Sequence, residues 1–162
     1  MLPKIIEYLQ KKEWRFSKGK RETTLFFSLS GDNGMYHCVI DFAADTSLLA
    51  FISFLGANCP SEKRKETIFL INDINNNLLF GNFEMNTNGE IKYRTSCYCQ
   101  DIEVTDVFLD GVILSNVFNM DFSAPFFNQF MFGNSTAKDV YDNLFPSNKL
   151  PKKDELLIEE KQ

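Results

Sequence analysis

At 162 residues, with 44% hydrophobic and 24% charged side chains, the chain is long enough to bury one core without disulfide or metal staples. Its net charge of −5 leaves no basic footprint for nucleic-acid phosphates or anionic membrane surfaces, so neither is an expected partner. No segment reaches the ~18–20 apolar residues of a membrane span, and Lys4 and Glu7 interrupt any signal-peptide core, so a cytoplasmic protein that meets other proteins is expected.

Leu2, Ile5, Ile6 and Leu9 follow helical spacing and predict a short amphipathic helix over 2–12, with Pro3 tolerated in its first turn. Gly19 and its basic neighbours read as a turn. Strands are predicted at 23–30, with Leu25, Phe27 and Leu29 on one face, and at 35–42, with Tyr36, Cys38, Ile40 and Phe42 on one face and His37 and Asp41 on the other. Gly31-Asp32-Asn33-Gly34 joins them as a turn. The next strand, 48–57, is apolar on both faces; it is expected to lie centrally and to be covered on both sides, the second cover coming from a partner subunit.

A helix follows over roughly 61–75, with Ile68, Ile71, Ile74 and Leu78 as its stripe and Phe69 and Leu70 widening it. Lys63, Arg64 and Lys65 sit in its first turn, the unfavourable sign for a helix dipole; they read as a solvated face or as a site for an acidic partner. Asn75-Asn76-Asn77 is expected to end the helix in a left-handed cap. Strand 78–85 then places Leu79, Gly81, Phe83 and Met85 on one face, Asn88-Gly89 makes a hairpin, and strand 90–99 returns.

The remainder is predicted helical: 102–119, a short Phe-rich helix capped by Ser123 and closed by Gly133, and a last helix opened by the capping-box pair Thr136 and Asp139 and stopped by Pro146. Residues 1–148 are expected to form a single α+β domain with an antiparallel sheet, in the order α-βββ-α-ββ-α(αα). Residues 149–162 read as a charged, flexible C-terminal tail.

No reaction centre emerges from the residue pattern. His37 has no strong nucleophile beside it on its own strand face, because Cys38 points the opposite way. Cys97 and Cys99 share a face at ~7 Å, too wide for an easy disulfide and without the loop of a zinc site. Asp101, Glu103, Asp106 and Asp110 spread around a helix start, where carboxylates suit the dipole. No catalytic residue, cofactor or metal site is assigned, and an enzyme is not expected.

The informative segment is 122–132, FSAPFFNQFMF. Its phenylalanines cannot all enter one core from a short helix, so Phe122, Phe126, Phe127, Phe130 and Phe132 are the candidate partner-binding residues.

Asn72 and Asn75, followed by Gly81-x-Phe83 and then Gly89-x-Ile91-x-Tyr93-Arg94, resemble the YbjN family of bacterial sensory-transduction regulators over roughly residues 2–146. That resemblance implies a fold like the small acidic dimeric chaperones of type III secretion, hence a homodimer with a protein-binding sheet. The implied function is a non-enzymatic, dimeric protein-interaction domain of chaperone or adaptor type. The alternative is a sensory regulator that binds a small ligand in an aromatic interior.

Overall fold

The computed structural model describes residues 1–146; the expected tail, 149–162, lies outside them. Four helices pack with a six-stranded antiparallel sheet of order β1-β2-β3-β4-β6-β5. The elements are α1 (Leu2–Lys11), β1 (Phe16–Lys18), β2 (Thr24–Ser30), β3 (Met35–Ala43), β4 (Leu48–Asn58), α2 (Arg64–Asn75), β5 (Asn82–Met85), β6 (Glu90–Tyr98), α3 (Asp106–Phe132) and α4 (Ala137–Leu144).

The alternation read from the strands places the core. Leu25, Phe27, Tyr36, Cys38, Ile40, Leu49, Phe51, Ile91 and Tyr93 all point to the helix-covered face and are buried there. Trp14, the only tryptophan, locks α1 onto this layer by meeting Tyr8 edge-on and stacking on Phe27. Strand β4 is central, as its apolar run predicts, pairing β3 on one side and β6 on the other.

Several elements differ from expectation, each for a local reason. Strand β1 is an additional three-residue edge strand, seated by Phe16 opposite Phe27 and too short to leave a pattern in the sequence. Helix α2 buries Thr67, Leu70, Ile71 and Ile74 but turns Ile68 and Phe69 outward, because a helix on a sheet edge has room for only one stripe. Strand β5 begins at Asn82, not at 78, and Leu79 stands fully exposed.

The asparagine triplet does not adopt a left-handed cap: Asn76 is right-handed helical at φ −63°. Asn75 instead imitates a strand, with Phe83 N donating to its Oδ1 at 2.8 Å and its Nδ2 donating to Phe83 O at 2.9 Å. The positive φ of +80° falls on Gly81, where a Cβ would sit 2.6 Å from Tyr93 Oη; only glycine lets the chain pass there, and Tyr93 Oη donates to Phe80 O beside it. Arg64, one of the three cations at the start of α2, is committed within the domain. It donates to the carbonyls of Cys59, Thr87 and Asn88 and so clamps the Asn88-Gly89 turn.

The Phe-rich segment is not a separate helix. It continues α3 without a break for 27 residues, with Pro125 inside and Ser123 buried in the helix rather than capping it. Proline removes the N–H that would bond Asp121 O, four residues back. Asn33 Nδ2 supplies the donor instead, at 3.2 Å. The vacated carbonyl is thus satisfied by the β2–β3 turn, and the helix runs on.

Candidate interaction surfaces

Helix α3 sits on the sheet through a buried polar centre that no sequence pattern announced. Asn116 is fully buried. Its Oδ1 accepts from Ser53 Oγ at 2.6 Å, and its Nδ2 donates to Phe51 O, Tyr93 O and Thr95 Oγ1 at 3.1–3.2 Å. A second anchor is Asp121, whose carboxylate accepts from the N–H groups of Asp32 and Asn33 and from Tyr36 Oη. Burial alone would raise the Asp121 pKa, but these hydrogen bonds hold it below the usual aspartate range. Asp106 and Asp110, from the acidic run, bind Lys11, Lys12 and Tyr8 and tie α1 to the start of α3.

These anchors decide which phenylalanines face inward. Phe127 and Phe130 are core residues, 0% and 1% exposed; Phe127 packs edge-on against Phe83, and Lys63 lies over the Phe130 ring. They are part of the domain's interior, a correction to the five-residue surface expected above. Phe122 and Phe132 are exposed and Phe126 is half-buried.

The outer side of α3 extends this surface towards the N-terminus. Val107, Leu114 and Phe118 face out, and Phe118, Phe122 and Phe126 form a ladder of ring contacts at 6.1 and 5.8 Å. A helix that is apolar all round and covered on one side only is unusual for a free monomer.

The second surface left uncovered by the described residues is the sheet face opposite the helices. One registered row reads Phe26, Val39, Ile52 and Arg94, and the next reads Ser28, His37, Phe54 and Lys92. Ile52 is buried there by its neighbours, among them Arg94, which is paired directly opposite it. Arg94 and Lys92 both reach Glu84, at 2.8 and 2.9 Å; burial opposes the charge on Glu84, but the hydrogen bonds from Arg94, Lys92 and Asn82 pull its pKa down to about 2. At one end of this face lies an open groove of about 980 Å³, lined by Trp14, Phe16, Phe26, Val39 and Phe54 with Arg15, His37 and Glu90 among its polar residues.

The residues with chemical potential are dispersed. His37 Nδ1 lies 3.1 Å from Ser28 Oγ, a pair the strand register creates, on an exposed face. Burial pushes the Cys38 thiol up to about 12 and raises Cys97 and Cys99 as well, holding all three as thiols. Among the described residues no group of three or more His, Cys, Asp or Glu side chains is placed to hold a metal, and no helix is long and apolar enough to cross a membrane.

Comparison with known proteins gives two kinds of match. The family model for YbjN, described as "putative bacterial sensory transduction regulator", matches residues 4–112. Among solved structures, YbjN from E. coli, described as "a putative transcription regulator", superposes with a TM-score of 0.57 at 13% identity, over 75% of this chain and 86% of that one. The Yersinia pestis type III secretion chaperone SycH, in complex with a stable fragment of YscM2, gives a TM-score of 0.48 at 9% identity, over 72% of this chain and 93% of that one. No curated protein matches.

Proposed function

The chain belongs to the YbjN family, and from that premise we propose that it is a non-enzymatic, homodimeric protein-interaction domain acting in the cytoplasm as an adaptor- or chaperone-like regulator. The observation that carries this reading is the sheet face opposite the helices, where Phe26, Val39 and Phe54 stand beside one another with no helix over them among the described residues. Apolar side chains in such an array bind by exclusion of water, and the flanking Arg15, His37 and Glu90 supply a polar rim. The description of the family as a regulator points the same way.

The test compares the wild-type chain with Phe26→Asp, an exposed-face substitution that leaves the core intact. Partners captured by the wild type are purified and titrated by calorimetry against both forms. Loss of binding in Phe26→Asp, with unchanged circular dichroism, is expected. Equal affinity for both forms refutes the sheet face as the partner site.

A second reading, a small-ligand sensor, is favoured by one observation: the groove's volume falls within the ~300–1,000 Å³ range of small-molecule sites, and Trp14 lines it. Trp14 fluorescence and thermal shift across a metabolite panel test it directly; a flat response in both refutes it.

A further inference from the structure

We propose that the outer ridge of α3 is the self-association surface of this protein and that its occupant is the same ridge of a second copy, running antiparallel across a two-fold axis. This rests on the dimeric reading above and adds the surface that makes the dimer. Val107, Leu114, Phe118 and Phe122 are spaced at i, i+7, i+11 and i+15, so they line one side of the helix for ~22 Å, opposite the side that carries Asn116, Met120 and Phe127. They are 80%, 48%, 67% and 45% exposed. With about 150–200 Å² per side chain, they leave about 400 Å² of apolar surface in water. Two-fold pairing removes about 800 Å² from these four alone, and the flanking residues bring it to the low end of specific interfaces.

Charge selects the second copy over other occupants. Along the ridge, from Val107 to Phe122, the charged residues are Asp110, held by Lys12 and Tyr8, and Asp121, whose carboxylate is engaged by the β2–β3 turn. Two chains of net charge −5 meet with least repulsion on a face that carries no free charge, whereas a strongly charged partner would find no counter-charge on it.

Gly111 gives the ridge its shape. It lies inside the helix at normal φ, and a Cβ built on it meets nothing within 4 Å, so packing within the domain gives no reason for a residue that weakens a helix. In an antiparallel pairing centred between Leu114 and Phe118, this notch lies within one residue's rise of Phe122 of the second copy, and the absent side chain admits the ring.

The experiment is sedimentation equilibrium of the full chain from low to high micromolar. It covers the wild type, Phe118→Glu, Phe118→Glu/Phe122→Glu and Gly111→Leu, with Phe69→Glu on the exposed side of α2 as control. Each variant is first checked for wild-type circular dichroism. We expect a monomer–dimer equilibrium in the wild type and in the control. Phe118→Glu should weaken the dimer about tenfold or more and the double variant about a hundredfold. Gly111→Leu should raise thermal stability while weakening the dimer, a combination that a purely intradomain role for Gly111 does not produce. Unchanged dimerisation in the ridge variants overturns the ridge assignment and leaves the dimeric reading intact. A control as impaired as the ridge variants also overturns it, placing the interface on α2. A wild type that stays monomeric throughout removes the dimeric reading and this proposal together.

Discussion

Replacing Asn116 by Leu is the sharpest test of how α3 is held on the sheet. The two side chains are similar in size, so the change leaves little cavity and isolates the polar term. It strips Ser53 Oγ of its acceptor and Thr95 Oγ1 of a donor, both on residues with no solvent exposure. A buried polar group left unmatched costs about 1–3 kcal/mol. Two such groups, with the weaker loss at the already sheet-bonded carbonyls of Phe51 and Tyr93, give about 3–4 kcal/mol. Against a typical total of about 5–15 kcal/mol this is a large fraction. Urea unfolding followed by Trp14 fluorescence measures it, at one fixed protein concentration because dimerisation contributes to apparent stability. Asn116→Leu/Ser53→Ala/Thr95→Val removes every orphaned hydroxyl and should recover most of the loss. A single variant costing under about 1 kcal/mol, or a triple variant no more stable than the single, refutes the reasoning.

Three further outcomes are expected. Gly81→Ala places a Cβ against Tyr93 Oη and the Arg94 carbonyl at positive φ, and should cost about 2–3 kcal/mol in chemical denaturation. Gly111→Ala meets open space and should stabilise the dilute protein by about 0.5–1 kcal/mol, read as a higher unfolding midpoint. Glu84 should make stability acid-sensitive: its folded pKa of about 2 lies below the unfolded 4.5, so its contribution is complete above 4.5 and is lost as pH falls towards 2. The gap between wild type and Glu84→Gln, at most about 3 kcal/mol and smaller after solvent screening, should therefore close across that window in acid unfolding titrations.

The signals legible in the chain are local ones. Strand faces at Leu25–Leu29 and Tyr36–Phe42 were legible because a period of two depends only on the pleat, and Thr136 with Asp139 was legible because a capping box closes within four residues. The Asn88-Gly89 turn was legible for the same reason. The unbroken run of α3 through Pro125 was not, since the donor that replaces the missing N–H comes from Asn33, 88 residues before Asp121. Nor was Asn75, whose partner strand is recognised only once Phe83 lies beside it.

Of the five candidate phenylalanines, composition alone said only that some must face outward. Which ones depends on the rotation of α3 about its own axis, and that is set by Asn116 reaching Ser53 and Thr95 and by Asp121 reaching the β2–β3 turn. The amino-acid sequence by itself determined the acidic charge, the antiparallel sheet and most of the element order, β1 and the unbroken α3 excepted, because each is written in short-range periodicity or composition; the resemblance to the family lay in the motif Gly81-x-Phe83 and Gly89-x-Ile91-x-Tyr93-Arg94. Tertiary structure alone decided that Phe127 and Phe130 belong to the core while Val107, Leu114, Phe118 and Phe122 form a ridge. A helix apolar on every side carries no periodic signal of its own, so its orientation is chosen only by the polar contacts it makes across the fold.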